Sequence, residues 1–233
     1  MLFRSRDYFP VDIHTNEATY EIQYGNVKRP THYNTSWDFA RFEVCGHKWL
    51  DVSEDGYGVS ILNDCKYGYS VHDGVIGLSI LKSAIYPNEE ADKEHHTCWY
   101  SICPHEKCFK EGNTVAKAYV FNNPYEAVIK NKEGDTLDSQ FSYIQVDKEN
   151  IVLEIIKQEE EGRHTIIRLY ECYNRRVKCR LQFALPVKEI KECNMLEQEE
   201  NDILHELYTA EIAFKPYEIK TLKVEFEKSI LAI

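Results

Sequence analysis

The sequence predicts an all-β protein, an antiparallel β-sandwich followed by a second, smaller β-sandwich. Three observations carry that expectation. Short alternating or wholly apolar runs recur along the 233 residues with turn residues between them, the pattern of an antiparallel sandwich. The 16 Tyr and 10 Phe suit strands, where flat rings pack on a pleated surface. No segment holds an apolar stripe of helical period for longer than roughly two turns.

The runs fall in two series, and the length accommodates two domains. The first series covers residues 18–24, 41–47, 57–62, 77–81, 97–102 and 115–121. Gly25-Asn26, Asp55-Gly56, Asp73-Gly74 and Asn123-Pro124 punctuate it, since these residues accept left-handed or fixed turn dihedrals. The polar stretch Lys130-Asn131-Lys132-Glu133-Gly134-Asp135 then marks a boundary, giving a first domain of residues 1–135 and a second of 136–233. The second series covers 141–146, 151–157, 165–172, 177–184, 211–214 and 221–226. Its runs are rich in β-branched residues, whose stiff χ1 rotamers suit a strand. Gln158-Glu159-Glu160-Glu161-Gly162-Arg163 reads as a solvated hairpin turn, and the acidic stretch 197–202 as a loop. The chain opens on what looks like the continuation of a sheet, a hint of N-terminal truncation, because a sheet missing its neighbours exposes an edge.

A formal charge of −11, from 39 acidic against 28 basic residues, repels phosphate backbones and anionic lipid, so nucleic acid and membrane are excluded as expected partners. No apolar run approaches about 18 residues, and the first residues lack the apolar core of a signal peptide. Eight cysteines without a small-scaffold framework read as reduced thiols of a cytoplasmic protein. Cys98, Cys103 and Cys108 beside His95, His96 and His105 raise a zinc site. Their spacing departs from the close pairs of structural zinc, and small buried hydrophobes are the preferred reading.

The stretch Arg29-Pro30-Thr31-His32-Tyr33-Asn34-Thr35-Ser36-Trp37-Asp38, continuing through Ala40-Arg41-Phe42-Glu43-Val44 and His47-Lys48-Trp49, resembles the glycoside hydrolase family 38 α-mannosidases, the cytosolic and bacterial branch most closely. Gly58-Val59-Ser60-Ile61-Leu62-Asn63-Asp64-Cys65-Lys66-Tyr67-Gly68 and Leu78-Ser79-Ile80-Leu81 extend the likeness, as do Ala91-Asp92, His96, Tyr100 and Pro104-His105. Val152-Leu153-Glu154, Ile167-Arg168-Leu169-Tyr170-Glu171 and Pro216-Tyr217-Glu218-Ile219-Lys220-Thr221-Leu222 resemble the family's terminal β domain. Lys82 stands where the family commonly has Arg. The resemblance implies that the first sandwich is part of a larger supersandwich. It also implies that the parent is a retaining α-mannosidase acting on mannose-containing oligosaccharides, with an aspartate nucleophile, a carboxylic acid/base and a zinc ion. Those groups belong to an N-terminal catalytic domain of the family, so no catalytic residue and no metal ligand is assigned in this chain. The fragment is expected to be inactive alone, with zinc needed only by the parent's catalytic domain.

Within this chain, Asn63 and Asp64 follow the run 57–62 on a strand-end loop, where a carboxylate and an amide suit vicinal hydroxyls and Gly68 lets the loop turn. An Asx turn that caps its own backbone is the competing reading. Tyr67 joins them as a substrate-binding candidate by stacking, with Lys66 and Lys82 as hydrogen-bonding neighbours, and for each of the three core packing or solvent exposure is the preferred reading. His32, Trp37 and Asp38 are costly to bury unpaired, and read as either a rim buttress or a hydrogen-bonded corner of the sandwich. Arg41 and Glu43 on one strand face suggest an ion pair. Asn34-Thr35-Ser36 matches the glycosylation acceptor pattern, without meaning in a cytosolic protein. Three functional classes follow: a carbohydrate-binding module, a self-sufficient glycosidase pairing Asp64 with Asp38 or Glu43, and a structural domain that shapes a catalytic cleft and mediates homo-oligomer contacts.

Overall fold

The computed structural model describes residues 3–129, 140–160, 162 and 164–227. The chain divides into two compact units, Met1–Val128 and Ile129–Ile233, and the expected all-β, antiparallel architecture is present in both. The boundary expected at 135/136 and the polar stretch 130–135 fall outside the described residues.

The first unit contains β1 (Phe3–Pro10), β2 (Glu17–Ile22), β3 (Gly25–Pro30), α1 (Ser36–Ala40), β4 (Val44–Cys45), β5 (Trp49–Ser53), β6 (Tyr57–Asn63), β7 (Gly68–His72), β8 (Val75–Ser83), β9 (Tyr100–Glu106) and α2 (Thr114–Asn122). One sheet runs β1-β8-β7-β4, the other β3-β2-β5-β6-β9. Their facing residues form one core: Tyr20, Leu50, Val52, Val59 and Ile61 from the larger sheet, Tyr69, Val71, Ile76 and Leu78 from the smaller. Each such buried side chain stabilises by about 1.5–3 kcal/mol. The hairpins turn on short loops: Asp73-Gly74, both at positive φ, closes His72 onto Val75, and Asp55-Gly56 lies inside the Ser53↔Gly58 pair. The turn expected at Gly25-Asn26 lies at Gln23-Tyr24 instead, with Tyr24 at positive φ, and Gly25 and Asn26 open β3.

Two strand expectations in this unit are also corrected. Residues 115–121, whose β-branched and aromatic side chains suggest a strand, form α2. Its buried Val115 and Ala118 lie three apart on the face packed against β5 and β6, so packing overrides local propensity. Residues 41–47 shorten to the two-residue β4, with Arg41 as the C-cap of α1. Glu43 pairs with Arg4 and accepts from Ser79, so the expected Arg41–Glu43 pair gives way to a contact across the sheet.

The second unit contains β10 (Ile144–Val146), β11 (Ile151–Gln158), β12 (Thr165–Glu171), β13 (Val177–Phe183), β14 (Val187–Cys193), β15 (Glu199–Asp202), β16 (Thr209–Phe214) and β17 (Ile219–Phe226), in sheets β10-β13-β16 and β11-β12-β17-β14-β15. Period-two alternation sends Cys179, Leu181 and Phe183 of β13 and Ala210, Ile212 and Phe214 of β16 into the core. The acidic stretch expected as a loop supplies β15 at the edge of its sheet. Lysines compensate its charge: Lys191 Nζ lies 2.9 Å and Lys223 Nζ 3.2 Å from Glu199. At the 158–163 hairpin, Glu159 N–H donates to His164 O at 2.9 Å, while residues 161 and 163 lie outside the described residues.

One buried carboxylate ties the second unit together. Glu171, fully buried at the end of β12, accepts from Asn150 Nδ2 (2.8 Å), Tyr173 N (2.8 Å), Arg175 N (3.2 Å) and Tyr217 N (3.0 Å). Charge-assisted bonds of this kind are the stronger ones. Among the described residues no helix is long and apolar enough to cross a membrane.

Candidate functional site

The loop from Asn63 to Gly68 joins β6 to β7, and Asn63 builds it from beneath. Its side chain is fully buried: Oδ1 accepts from Lys66 N at 2.6 Å, and Nδ2 donates to His47 O at 2.7 Å and to Tyr69 Oη. Asn63 O accepts from Asn122 Nδ2 at 3.1 Å, which fastens the loop to α2. Asn63 is thus the Asx-turn residue of the competing reading, and its amide faces inward.

The side chains of the loop that reach solvent are those of Asp64, Cys65, Lys66 and Tyr67. Asp64 clasps the start of β9: its N–H donates to Trp99 O at 3.2 Å, and Oδ1 accepts from Trp99 N at 3.1 Å. Burial and the adjacent Asp64 carboxylate push the Cys65 thiol up to about 11, so it is a weak nucleophile at neutral pH. The half-exposed Tyr67 ring meets the His47 imidazole edge-on, centroids 5.2 Å apart. Gly68 serves close approach rather than a turn, since a Cβ there would lie 2.8 Å from Glu43 Oε1. The loop offers a phenol, an ammonium and the spare lone pairs of one carboxylate, a set suited to hydrogen-bonding a polyol.

The remaining candidates are dispersed. Lys82 is exposed on β8 opposite Arg4. Asp38 closes the N-terminal cap of α1, with His32 Nδ1 3.6 Å away, whereas Trp37, expected to need a buried partner, is 75% exposed. The carboxylates of the self-sufficient glycosidase reading are therefore committed, Asp38 to a helix cap and Glu43 to Arg4.

His105, placed by its sequence neighbours in a metal cluster, instead joins a buried knot. His105 Nε2 lies 2.7 Å from Asp51 Oδ2 and 3.0 Å from Ser60 Oγ, and Ser60 Oγ lies 2.7 Å from Thr114 Oγ1. A catalytic triad puts the carboxylate and the hydroxyl on opposite ring nitrogens. Here both meet Nε2, so the knot fastens α2 to β5, β6 and β9. The Asp51 hydrogen bond holds the imidazole above its ordinary pKa, against the opposing effect of burial. Gly58, the second residue of β6, makes room, since a Cβ there would lie 2.3 Å from His105 Cε1. His96 Nε2 turns to Asp92 O and the Cys108 thiol to Glu111. Among the described residues no three His, Cys, Asp or Glu side chains are grouped to hold a metal ion.

Residues 5–90 match the glycosyl hydrolases family 38 C-terminal domain, and residues 150–222 match the family 38 C-terminal beta sandwich domain. The chain belongs to glycosyl hydrolase family 38. The two matched regions together span more than half of the sequence and fall one in each unit. The chain is 41% identical to human alpha-mannosidase 2C1 over 193 residues, covering 82% of this chain and 18% of that protein. It is 40% identical to alpha-mannosidase G of Dictyostelium discoideum over 215 residues, covering 91% and 20%. An alpha-mannosidase of Saccharomyces cerevisiae is 36% identical over 240 residues, covering 94% and 22%. The crystal structure of an alpha-mannosidase from Enterococcus faecalis V583 shares the fold with a TM-score of 0.79 at 21% identity, over 95% of this chain and 26% of that one. The chain spans about a fifth of the length of the curated relatives it matches.

Proposed function

We propose that this chain is the non-catalytic C-terminal portion of a retaining, zinc-dependent α-mannosidase that removes terminal α-mannosyl residues from oligosaccharides in the cytoplasm. It scaffolds the catalytic portion, and the Asn63–Gly68 loop forms part of the substrate rim. The observation that carries the reading is the pair of family 38 C-terminal matches, one in each unit, in relatives named alpha-mannosidase that are about five times longer. The commitment of Asp38, Glu43 and Asp51 to a cap, an ion pair and a buried knot supports a scaffold without chemistry of its own. Zinc would be held by residues outside this chain.

At the rim, Asn63 positions the loop, Asp64 accepts from sugar hydroxyls, and Tyr67 supplies a ring face and a hydroxyl. Free thiols at all eight cysteines suit a reducing compartment. The test is Asp64→Ala and Tyr67→Ala in the full-length enzyme. A fall in kcat/KM of about tenfold for an oligosaccharide, close to one lost hydrogen bond, is expected, and unchanged kcat/KM in both variants removes the rim role.

A further inference from the structure

Helix α1 has one helical turn and buries none of its residues. Helices this short are unstable alone and are held in proteins by packing an apolar face. Here a capping box does the holding: Asp38 N donates to Thr35 Oγ1 at 3.2 Å, and Thr35 N donates to Asp38 Oδ2 at 3.0 Å. The large apolar side chains of the segment face solvent. Trp37 is 75% exposed, Phe39 70%, Phe42 55% and Tyr33 44%. Two of the rings are already fixed in place. Tyr33 stacks on His72 with centroids 3.9 Å apart and meets Phe39 edge-on at 5.8 Å. Four aromatic side chains at these exposures leave on the order of 500 Å² of apolar surface. That matches the largest patches found on monomers, which are often functional, and is more than half of the roughly 800 Å² each partner buries in a standard interface.

We infer that Tyr33, Trp37, Phe39 and Phe42 form the docking surface for the polypeptide that makes up the other four-fifths or so of family 38 α-mannosidases, with Trp37 as its central anchor. The inference rests on the reading that this chain is one portion of such an enzyme. The length of the relatives argues for this occupant: a matched region covering only 18–22% of each belongs to a far larger body, and an aromatic cluster on a preformed turn is the usual composition of an interface hot spot. A glycan is poorly served by the same patch. The Tyr33 and Phe39 planes cross at 61°, so they offer no common floor for a pyranose ring, and the Thr35 hydroxyl and Asp38 carboxylate are spent on the cap.

The test compares hydrogen exchange of residues 33–42 in the 233-residue chain and in the full-length α-mannosidase that contains it, with aryl α-mannoside hydrolysis assayed on the same full-length sample. Exchange is expected to slow by about tenfold or more in the full-length enzyme, equivalent to a tenfold equilibrium shift. Trp37→Ala with Phe39→Ala should abolish that protection, and Trp37→Phe should retain most of it. Equal exchange in both proteins overturns the inference. So does protection of the isolated chain that grows with its own concentration, which marks a second copy as occupant, or protection induced by a mannose oligosaccharide. Activity with an unprotected patch defeats the docking surface alone, and a protected patch without activity defeats the α-mannosidase reading alone.

Discussion

Replacing Glu171 by Gln should destabilise the second unit selectively. The substitution keeps the shape and one acceptor oxygen but turns the other oxygen into an NH2 donor. The remaining oxygen will serve the two fully buried donors, Asn150 Nδ2 and Tyr173 N, which leaves the part-buried Arg175 N and Tyr217 N facing a donor. A buried donor without a partner costs about 1–3 kcal/mol, so two part-buried ones should cost about 2–4 kcal/mol. Domains of this size have only about 5–15 kcal/mol of stability in all. Glu171→Ala, which orphans all four donors, should therefore come close to unfolding the unit. All three tryptophans, Trp37, Trp49 and Trp99, lie in the first unit, so fluorescence reports that unit while hydrogen exchange of β12 and β17 reports the other. With an m-value of roughly 1–3 kcal/mol/M in urea, the second unit's midpoint should fall by about 1–2 M, with the fluorescence transition unmoved. A Glu171→Gln loss under about 0.5 kcal/mol would refute the reasoning.

Three further outcomes follow from ionisable groups and close packing. His105 is held above its ordinary pKa by Asp51, so the pair's stabilisation is fully present below about pH 6.5 and is lost as pH rises through the raised folded value. Asp51→Asn should flatten that slope in fluorescence-monitored unfolding and cost about 3 kcal/mol below pH 6.5. Gly58→Ala should cost about 1–3 kcal/mol by overpacking and weaken the same slope, because its Cβ would meet His105 Cε1. Glu159 is held down to about 2 by Lys223 first and His164 second. Its contribution is present above pH 4.5 and disappears as pH falls toward 2, so Glu159→Gln should remove that part of the second unit's acid dependence, read from urea midpoints at a series of acidic pH values.

Strands whose burial is set by their own alternation were legible in the sequence: β13 and β16 keep period two throughout, and β6 and the Asp73-Gly74 hairpin follow from apolar runs and turn chemistry. What escaped was decided by partners distant in sequence. Helix α2 reads locally as a strand because Val115, Tyr119, Val120 and Phe121 favour one, yet the sheet beneath it rewards the 3.6-residue face. The acidic β15 reads as a loop until Lys191 and Lys223 are brought opposite. Of the loop candidates, Asp64 and Tyr67 face outward as a strand-end position suggests. Asn63 was ambiguous because its partners, His47 O and Tyr69 Oη, lie 16 and 6 residues away. Asp51 and His105, 54 residues apart, left no local signal, and only the crowding at Gly58 hints at them. The exposed Trp37 inverts the ordinary expectation that large aromatics are buried.

Aryl α-mannoside hydrolysis, measured in parallel for the 233-residue chain and for the full-length polypeptide containing it, bears most directly on a scaffold without chemistry of its own. The predicted result is turnover by the full-length protein and none by the chain alone. Turnover by the isolated chain that is lost in Asp64→Asn, or a full-length protein with no α-mannosidase activity, would contradict it.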